Sequence, residues 1–343
     1  MGDIIHAMPA VAALRKALPE VAFGWIVEKR WFELLSTHMR SRHAPDRPLV
    51  DTVHVVDTRR WRKSLLSGDT RAEIRSSLND VREIPYPVAI DFQGSLKSAV
   101  IGKLSWAQKR FGFSDPWETP AALFYTATVA SASAHVVERN FDLAGAVAHS
   151  EFGCSLDRCA SAELPSNSEI ESQASQALER FGLHRPFAIL NPGAGWGAKQ
   201  WPLDRFAEVA RALGKDGVRS LVNFGPSEEE LAKFVEEKSE GYAIAAQVTI
   251  SELIAVTRRA SLFIGGDTGP LHLAAALRVP VVALFGPTDP ARTGPYGTRS
   301  IVLRDPASVT SHKRNRETEA GLKNITAEQV IAATRELLTG AKA

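Results

Sequence analysis

The chain has 343 residues, of which 44% are hydrophobic and 23% charged; this length predicts two domains of roughly 150 residues each, and this composition excludes a disordered chain. A formal net charge of +2 is too balanced for a general nucleic-acid-binding protein, although a local basic patch remains compatible with it. The sequence shows no apolar run of ~18 residues and no signal-peptide pattern, so we expect a cytoplasmic protein with at most peripheral membrane contact.

Short apolar runs alternate with longer amphipathic segments, which predicts βαβ units around parallel sheets. The candidate strands of the first half are 21–27, 53–56 and 88–91. Those of the second half are 187–190, 220–224, 243–246, 262–265, 281–284 and 300–303. We expect an N-terminal domain at 1–160, a linker with a helix at 161–184, a C-terminal domain at 185–325 and a closing helix at 326–343. Such doubly wound sheets bind ligands at the carboxyl ends of their strands, so the predicted site is a cleft between the two domains.

The opening stretch "GDIIHAMPA" places a Gly-Asp pair directly before an apolar helical run. In α/β proteins such a pair usually follows a first strand, yet only Met1 precedes it here. Asp3 is a possible helix cap, and the apolar residues after it share a helical face. Pro9 removes the hydrogen bond to the Ile5 carbonyl, so we expect the helix to kink or restart at Pro9.

The most informative stretch is "SLFIGGDTGPLHLAAALRVPVVALFGPTDP", which predicts a buried strand, a glycine turn, a helix and a second strand. Thr268 and Gly269 present backbone amides at the start of the helix. Together with the helix dipole, these amides form an anion site suited to a diphosphate. The alternative is that Asp267 and Thr268 merely cap the helix while His272 packs beneath it.

Two further loops also follow predicted strands. "NPGAGWGAKQWP" carries Lys199, which is either a cation that neutralises a departing phosphate or a solvated loop lysine. "FGPSEEE" carries Glu228, which either accepts hydrogen bonds from ribose hydroxyls or compensates a helix dipole. Neither loop matches a Walker A motif or the G-x-G-x-x-G of a dinucleotide fold, which disfavours a dehydrogenase.

These stretches, "GDIIHAMPA", "NPGAGWGAKQWP" and "GGDTGPLHLAAAL", resemble the ADP-heptose:lipopolysaccharide heptosyltransferases. The resemblance implies inverting glycosyltransferases of the GT-B type, with two Rossmann-like doubly wound domains facing across a cleft. In the first half, "DFQGSLKSAVIG", "RRWRK", "ETPAALFYT" and "HVVERN" are similar to the subgroup called heptosyltransferase I, which adds the first heptose to Kdo2-lipid A. The loop "GAGWGAK" looks more like the version in heptosyltransferase II, so the second-heptose enzyme stays an alternative.

The family also implies a role for each matching residue. Asp3 is the expected general base, which takes the proton from the acceptor hydroxyl as that oxygen attacks the anomeric carbon of the heptose. Lys199 and the amides around Thr268 and Gly269 would stabilise the departing ADP. The other implied donor contacts are Gly195 and Trp196 through their amides, Glu228 at the adenosine ribose, Asp267 at the heptose hydroxyls and His272 near the phosphates.

The expected acceptor is anionic, since it carries Kdo carboxylates and lipid A phosphates. Guanidinium groups bind carboxylates through two hydrogen bonds, so cations in the first half are candidate acceptor contacts. The alternative for the basic run is a solvated loop, and Arg139 is equally plausible as a structural ion-pair partner. The candidates are Arg59, Arg60, Arg62, Lys63, Lys97, His135 and Arg139, the last two on one helical face.

The family implies no cofactor and no metal, because Lys199 and the helix amino terminus supply positive charge. Cys154 and Cys159 fit neither a disulfide framework nor a zinc site. The expected partners are ADP-heptose, Kdo2-lipid A and, peripherally, the cytoplasmic face of the inner membrane, with no nucleic acid. Another GT-B transferase, or a nucleotide-sugar-binding protein without catalysis, stays an alternative. The family has a strand before "GD", so this chain is expected to lack its first strand and Met1 to be an internal methionine.

Overall fold

A computed structural model of the chain describes residues 1–38, 46–158, 161–311, 313 and 315–339. The chain divides into two compact units, one of Met1 and Asp3–Pro165 and one that runs through Ser166–Ala343. Their boundary falls within the segment 161–184 predicted as a linker. Cys154 is a free thiol, whereas Cys159 lies outside the described residues. None of the described helices has the length and apolarity needed to cross a bilayer.

The first unit is an α/β unit whose neighbouring strands are all parallel. Its strands are β1 (Gly24–Glu28), β2 (Thr52–Val56), β3 (Val88–Ile90), β4 (Lys109–Phe113) and β5 (Ala127–Val129). Its helices are α1 (Gly2–Ala17), α2 (Thr58–Trp61), α3 (Gly68–Glu83), α4 (Leu96–Leu104) and α5 (Val136–Phe152), with 3₁₀ turns at Lys29–Leu34 and Thr119–Phe124. The three predicted strands are confirmed as β1, β2 and β3, while β4 and β5 were not predicted.

These strands form two separate sheets, in the orders β1-β2 and β3-β4-β5. Among the described residues, β1 pairs only with β2 and β3 only with β4. A cavity of about 410 Å³ is lined by both unpaired edges and by α1, with apolar side chains such as Val11, Val27 and Ile90. Met1 also lines this cavity, and burial lowers the pKa of its α-amino group to about 6. The cavity therefore lies between α1 and the edges of the two sheets that are unpaired in the described residues.

Helix α1 runs through Pro9 without interruption. The expected restart at this residue is therefore wrong. One face of α1 is buried, including Met8 and Leu14, which are 0% and 3% exposed. Burial of this apolar face offsets the one helical hydrogen bond that Pro9 cannot donate.

The second unit contains one six-stranded parallel sheet, in the order β11-β10-β9-β6-β7-β8. All six predicted strands are confirmed, as β6 (Phe187–Asn191), β7 (Arg219–Asn223), β8 (Ala243–Ala246), β9 (Leu262–Gly266), β10 (Val281–Phe285) and β11 (Ser300–Arg304). The helices are α6 (Ser168–Arg180), α7 (Leu203–Lys215), α8 (Glu229–Lys238), α9 (Ile250–Arg259), α10 (Gly269–Ala276), α11 (Pro290–Thr293), α12 (Ala320–Asn324) and α13 (Ala327–Thr339), and Gly197–Lys199 is a 3₁₀ turn.

Apolar cores cover both faces of this sheet. Strand order reverses between β6 and β9, because β7 and β8 extend the sheet to one side while β10 and β11 extend it to the other. Open parallel sheets bind ligands beside the carboxyl ends of the strands at such a switch point. The fold therefore predicts a ligand site at the loops that follow β6 and β9.

Candidate functional site

The loops after β6 and β9 bring Lys199 and Asp267 together. Lys199 ends the 3₁₀ turn at Gly197–Lys199, and Asp267 follows β9 directly. The Lys199 Nζ donates to Asp267 Oδ2 at 2.7 Å and to the Asp267 carbonyl at 3.2 Å. Their side chains are 15% and 8% exposed. Lys199 is thus not the solvated lysine of the alternative interpretation, and it keeps a third N–H for a ligand.

His272 completes a cluster of three charged or polar groups. Its Nε2 lies 3.0 Å from Asp267 Oδ1, so both carboxylate oxygens have a partner. Burial alone would raise the pKa of Asp267, but hydrogen bonds and charge from His272 and Lys199 hold that pKa well below its usual range. Asp267 is therefore ionised at neutral pH and fixes Lys199 at the switch point.

The low pKa of Asp267 predicts a pH-dependent contribution to stability. Its folded pKa lies below its unfolded value, so the stabilisation is complete above about pH 5 and is lost as pH falls through the folded pKa. At pH 7 we expect Asp267→Asn to lower the free energy of unfolding by about 3 kcal/mol, because a buried cation loses its partner. Urea unfolding at several pH values should show this difference shrinking below about pH 4. A constant difference between pH 7 and pH 3 would contradict the assignment; Asp204→Asn, at an exposed position of the same unit, is the control.

Thr268 is the N-cap residue of α10, but its side chain makes no capping hydrogen bond. The Thr268 hydroxyl is buried and has no hydrogen-bond partner in the described structure. The interpretation of Asp267 and Thr268 as ordinary side-chain caps is therefore wrong. The amides of Gly269 and Leu271 lie in the first helical turn, where no helical carbonyl accepts from them. The predicted anion site at this helix terminus keeps its geometric basis.

The next strand end contributes a residue that the sequence analysis missed. Thr288 follows β10, and its hydroxyl is likewise buried without a partner in the described structure. Thr288 lies within the quoted stretch "FGPTDP", so its position after a strand was the available signal. Two unpaired hydroxyls at neighbouring strand ends are suited to an oxygen-rich ligand.

Glu228 lies beside the loop after β6. Its Oε2 accepts from the Gly225 amide at 2.9 Å. A Cβ placed on Gly193 would lie 2.2 Å from the same oxygen, so only glycine leaves room there for the carboxylate. Next to it, Asn223 at the end of β7 donates to Asn191 at the end of β6, at 2.6 Å. Glu228 is the N-cap residue of α8, but its side chain makes no capping hydrogen bond. Its carboxylate lies instead against Gly193 and Gly225, in the loops after β6 and β7.

The two other predicted residues of the loop after β6 differ in exposure. Gly195 is exposed and has open space around its Cβ position. The Trp196 ring centroid lies 5.6 Å from the Lys199 ammonium nitrogen, within the range of a cation–π contact. The loop thus places an aromatic face next to the Lys199–Asp267–His272 cluster.

In the first unit, Asp3 lies exposed in the first turn of α1. Together with Glu28 and Lys97 it lines the cavity beside the unpaired strand edges. Lys97 donates to Glu28 at 2.7 Å. The structure therefore brings Asp3 and Lys97, which are 94 positions apart (97 minus 3), to one cavity.

Glu28 is a second residue that the sequence analysis missed. It ends β1, and it accepts hydrogen bonds from Lys97, from the Thr58 amide and from the Thr58 hydroxyl. Burial would raise the pKa of Glu28, but its bonds to Lys97 and Thr58 lower it. One carboxylate thus joins the start of α2, which carries the predicted basic run, to the predicted acceptor contact Lys97.

The basic run itself lies on the surface. Arg59, Arg62 and Lys63 are exposed, and Arg60 lies 3.4 Å from Glu73. Trp61 between them is buried, at 7% exposure. Solvated cations and anion-binding cations are both compatible with this exposure, so the two interpretations stay open.

His135 and Arg139 have structural partners. His135 is the N-cap residue of α5, where its Nδ1 accepts from the Val137 amide at 3.2 Å, so it does not share a helical face with Arg139 as expected. Arg139 donates to Asp115 at 2.7 Å and lies over the Phe113 ring. The ion-pair interpretation of Arg139 is confirmed. Acceptor binding by Arg139 stays a prediction. In the described part of the chain, no group of three His, Cys, Asp or Glu residues is arranged to hold a metal ion.

Comparisons of the sequence and of the structure with known proteins both find heptosyltransferases. The family described as glycosyltransferase family 9 (heptosyltransferase) matches residues 74–323. Lipopolysaccharide heptosyltransferase 1 of Salmonella typhimurium is 31% identical over 89% of this chain and 92% of that protein; the protein of the same name from Pseudomonas aeruginosa is 31% identical over 88% and 81%. The structure of E. coli heptosyltransferase WaaC with ADP is 27% identical, with a TM-score of 0.77 over 98% of this chain and 97% of that one. The predicted GT-B fold is thereby confirmed.

Proposed function

Because this chain belongs to glycosyltransferase family 9, the heptosyltransferases, we propose that it transfers heptose from ADP-L-glycero-β-D-manno-heptose to a Kdo residue of Kdo2-lipid A. This reaction belongs to inner-core lipopolysaccharide synthesis. The observation that carries the proposal is the buried Lys199–Asp267–His272 cluster at the switch point of the second unit. It provides a fixed cation beside a helix amino terminus, which suits a departing diphosphate.

The proposed chemistry is a single displacement that inverts the anomeric centre. Asp3 accepts the proton of the acceptor hydroxyl while the hydroxyl oxygen attacks the anomeric carbon of the heptose. The bond from that carbon to the diphosphate breaks, and negative charge develops on ADP. Lys199 and the amides at the start of α10 stabilise this charge. The fixed position of Lys199 means that little reorganisation is needed as the charge develops.

The remaining donor contacts follow from the same geometry. Glu228 is held at the strand ends by the Gly225 amide and has a second carboxylate oxygen for the ribose hydroxyls. The amides of Gly195 and Trp196 face the phosphates in this proposal. Asp267 contacts the heptose hydroxyls and His272 lies near the phosphates in this proposal, and the unpaired Thr268 and Thr288 hydroxyls gain ligand oxygens as partners.

The acceptor is proposed to bind the first unit through cations. Arg59, Arg62 and Lys63 are exposed and near a carboxylate-anchored helix start, and Lys97 lines the same cavity as Asp3. Arg60, His135 and Arg139 are proposed as secondary contacts, because each has the structural partner described above. The protein works at the cytoplasmic face of the inner membrane in this proposal, since its acceptor is a lipid.

The first-heptose assignment is tested by comparing acceptors. With ADP-heptose as donor, we expect ADP release with Kdo2-lipid A, and none with an acceptor that already carries the first heptose. Release only with the heptosylated acceptor would identify the second-heptose enzyme. Turnover only with another nucleotide sugar would favour a different GT-B transferase, and binding of ADP-heptose without any turnover would favour a binding protein.

The glycines of the loop after β6 supply a matched pair of variants for the donor site. We expect Gly193→Ala to raise the Kd for ADP at least tenfold, because its Cβ would displace the Glu228 carboxylate that lies 2.2 Å away. Gly195→Ala, in the same loop, meets nothing within 4 Å and should change the Kd less than twofold, since alanine keeps the amide. Calorimetric titration with ADP measures both. Equal Kd values for the two variants would remove Glu228 from the proposed site.

A further inference from the structure

Two leucines between α2 and α3 lie on the surface beside the basic run. Leu65 and Leu66 are 54% and 85% exposed. Arg59, Arg62 and Lys63, which are also exposed, precede them within seven residues. We call residues 59–66 the basic-leucine segment. The two exposed leucine side chains gain free energy on leaving water, and they lie next to several cations.

The fold holds this segment in place from both sides. Trp61 and Thr58 are buried, and Thr58 bonds to Glu28 at the end of β1. On the other side, the Ser64 hydroxyl lies 2.9 Å from the Thr70 hydroxyl, and Ser67 is the N-cap residue of α3. Trp61 takes the interior position, and Leu65 and Leu66 follow it on the surface.

The charge of the segment points to an anionic partner. In the described part of the chain, Arg59, Arg62 and Lys63 form no ion pair. The acids Asp57 and Asp69 flank the segment and leave it with an excess of positive charge. This local excess contrasts with the net charge of +2 for the whole chain.

We propose that the basic-leucine segment docks the first unit on an anionic phospholipid bilayer, with Leu65 and Leu66 at the boundary of headgroups and acyl chains and the three cations among the phosphates. Leucine side chains gain from leaving water at this boundary, and each cation near an anionic surface adds to binding. The aliphatic stems of arginine and lysine cover apolar surface while their charged ends reach the headgroups. The inference rests on the proposed function in one respect, that a lipid acceptor places the enzyme at a membrane.

Flotation with vesicles tests the proposal without any acceptor. We expect the protein to float with vesicles of phosphatidylcholine and phosphatidylglycerol, and much less with phosphatidylcholine alone. Arg59→Gln, Arg62→Gln and Lys63→Gln combined should lower the partition coefficient about 100-fold, or roughly fivefold per cation. Leu65→Ser with Leu66→Ser should lower it roughly tenfold. The controls, Arg71→Gln with Arg75→Gln on the exposed side of α3 and Val309→Ser in the second unit, should keep wild-type flotation.

Several results would overturn the proposal. The first is that the wild type does not float. The second is that both segment variants float as much as the wild type does. A third is a change from dimer to monomer in the leucine variant with flotation unchanged, which would assign the leucines to a second copy of the chain. Transfer to an acceptor without acyl chains separates this inference from the proposed function. The leucine variant should keep that activity, and absence of transfer by a wild-type protein that floats would contradict the function alone.

Discussion

Replacing Lys199 by alanine is expected to lower kcat for heptosyl transfer about 100- to 1,000-fold. The ammonium group is the fixed cation of the proposed diphosphate site, and it is held by two hydrogen bonds to Asp267. Its charge matters most when ADP departs, so kcat should fall more than the affinity for ADP. The measurements are initial rates of ADP release and the Kd for ADP.

Two further variants sharpen the Lys199 experiment. Lys199→Arg keeps the charge but replaces a point donor by a planar one, so we expect a partial recovery of the rate. Lys233→Ala, which removes a lysine that pairs with Glu229 on the surface of the same unit, should leave the rate unchanged. A loss of less than tenfold for Lys199→Ala would remove Lys199 from the proposed chemistry.

Asp3→Asn is expected to lower kcat about 100- to 10,000-fold, the range typical of a lost general base. Asparagine has nearly the same shape and keeps a hydrogen-bond acceptor, but it does not take up a proton at neutral pH. Asp3 belongs to the first unit and the donor site to the second, so the Kd for ADP should stay within twofold of the wild-type value. Rates and ADP binding on the same preparation measure this.

A control must separate loss of a base from loss of helix stability, because Asp3 lies in the first turn of α1, where a carboxylate stabilises the helix. Glu328→Gln makes the same change in the first turn of α13 and should leave kcat unaffected. A wild-type rate for Asp3→Asn, or a parallel loss of ADP affinity, would be incompatible with the proposed base.

Three strands of the second unit were predictable because they are buried on both faces. Strands β6, β9 and β10 read as short, continuous apolar runs, and all of their residues are buried. In the first unit, β4 begins with Lys109 and Arg110, and β5 has only three residues. Strand β3 is equally short but wholly apolar, whereas β5 has a threonine at its centre. Charged or polar residues in β4 and β5 weaken the apolar pattern, so neither was predicted.

The site was predictable in parts but not as an assembly. Lys199, Asp267 and His272 were each identified from loops and from a resemblance to a family. The bond between Lys199 and Asp267 depends on the pairing of β6 with β9, because these two residues are 68 positions apart in the chain. Glu28 was missed for the same reason, since its bond to Lys97 spans 69 positions. Local sequence shows that a strand ends in a carboxylate, but the neighbouring strand and helix decide what that carboxylate binds.

The unpaired edges of β1 and β3 imply that the two halves of the enzyme differ in local stability. In the described residues β1 and β3 each pair with a strand on one side only, and a cavity lined by apolar side chains lies beside them, so the first unit should open more easily than the six-stranded sheet. Backbone amides of β1 and β3 should therefore exchange hydrogen for deuterium faster than those of β6 and β9. The chain thus carries its proposed proton acceptor on the less stable unit and its proposed phosphate-binding cluster on the more stable one. In mild urea, heptosyl transfer should disappear while ADP still binds.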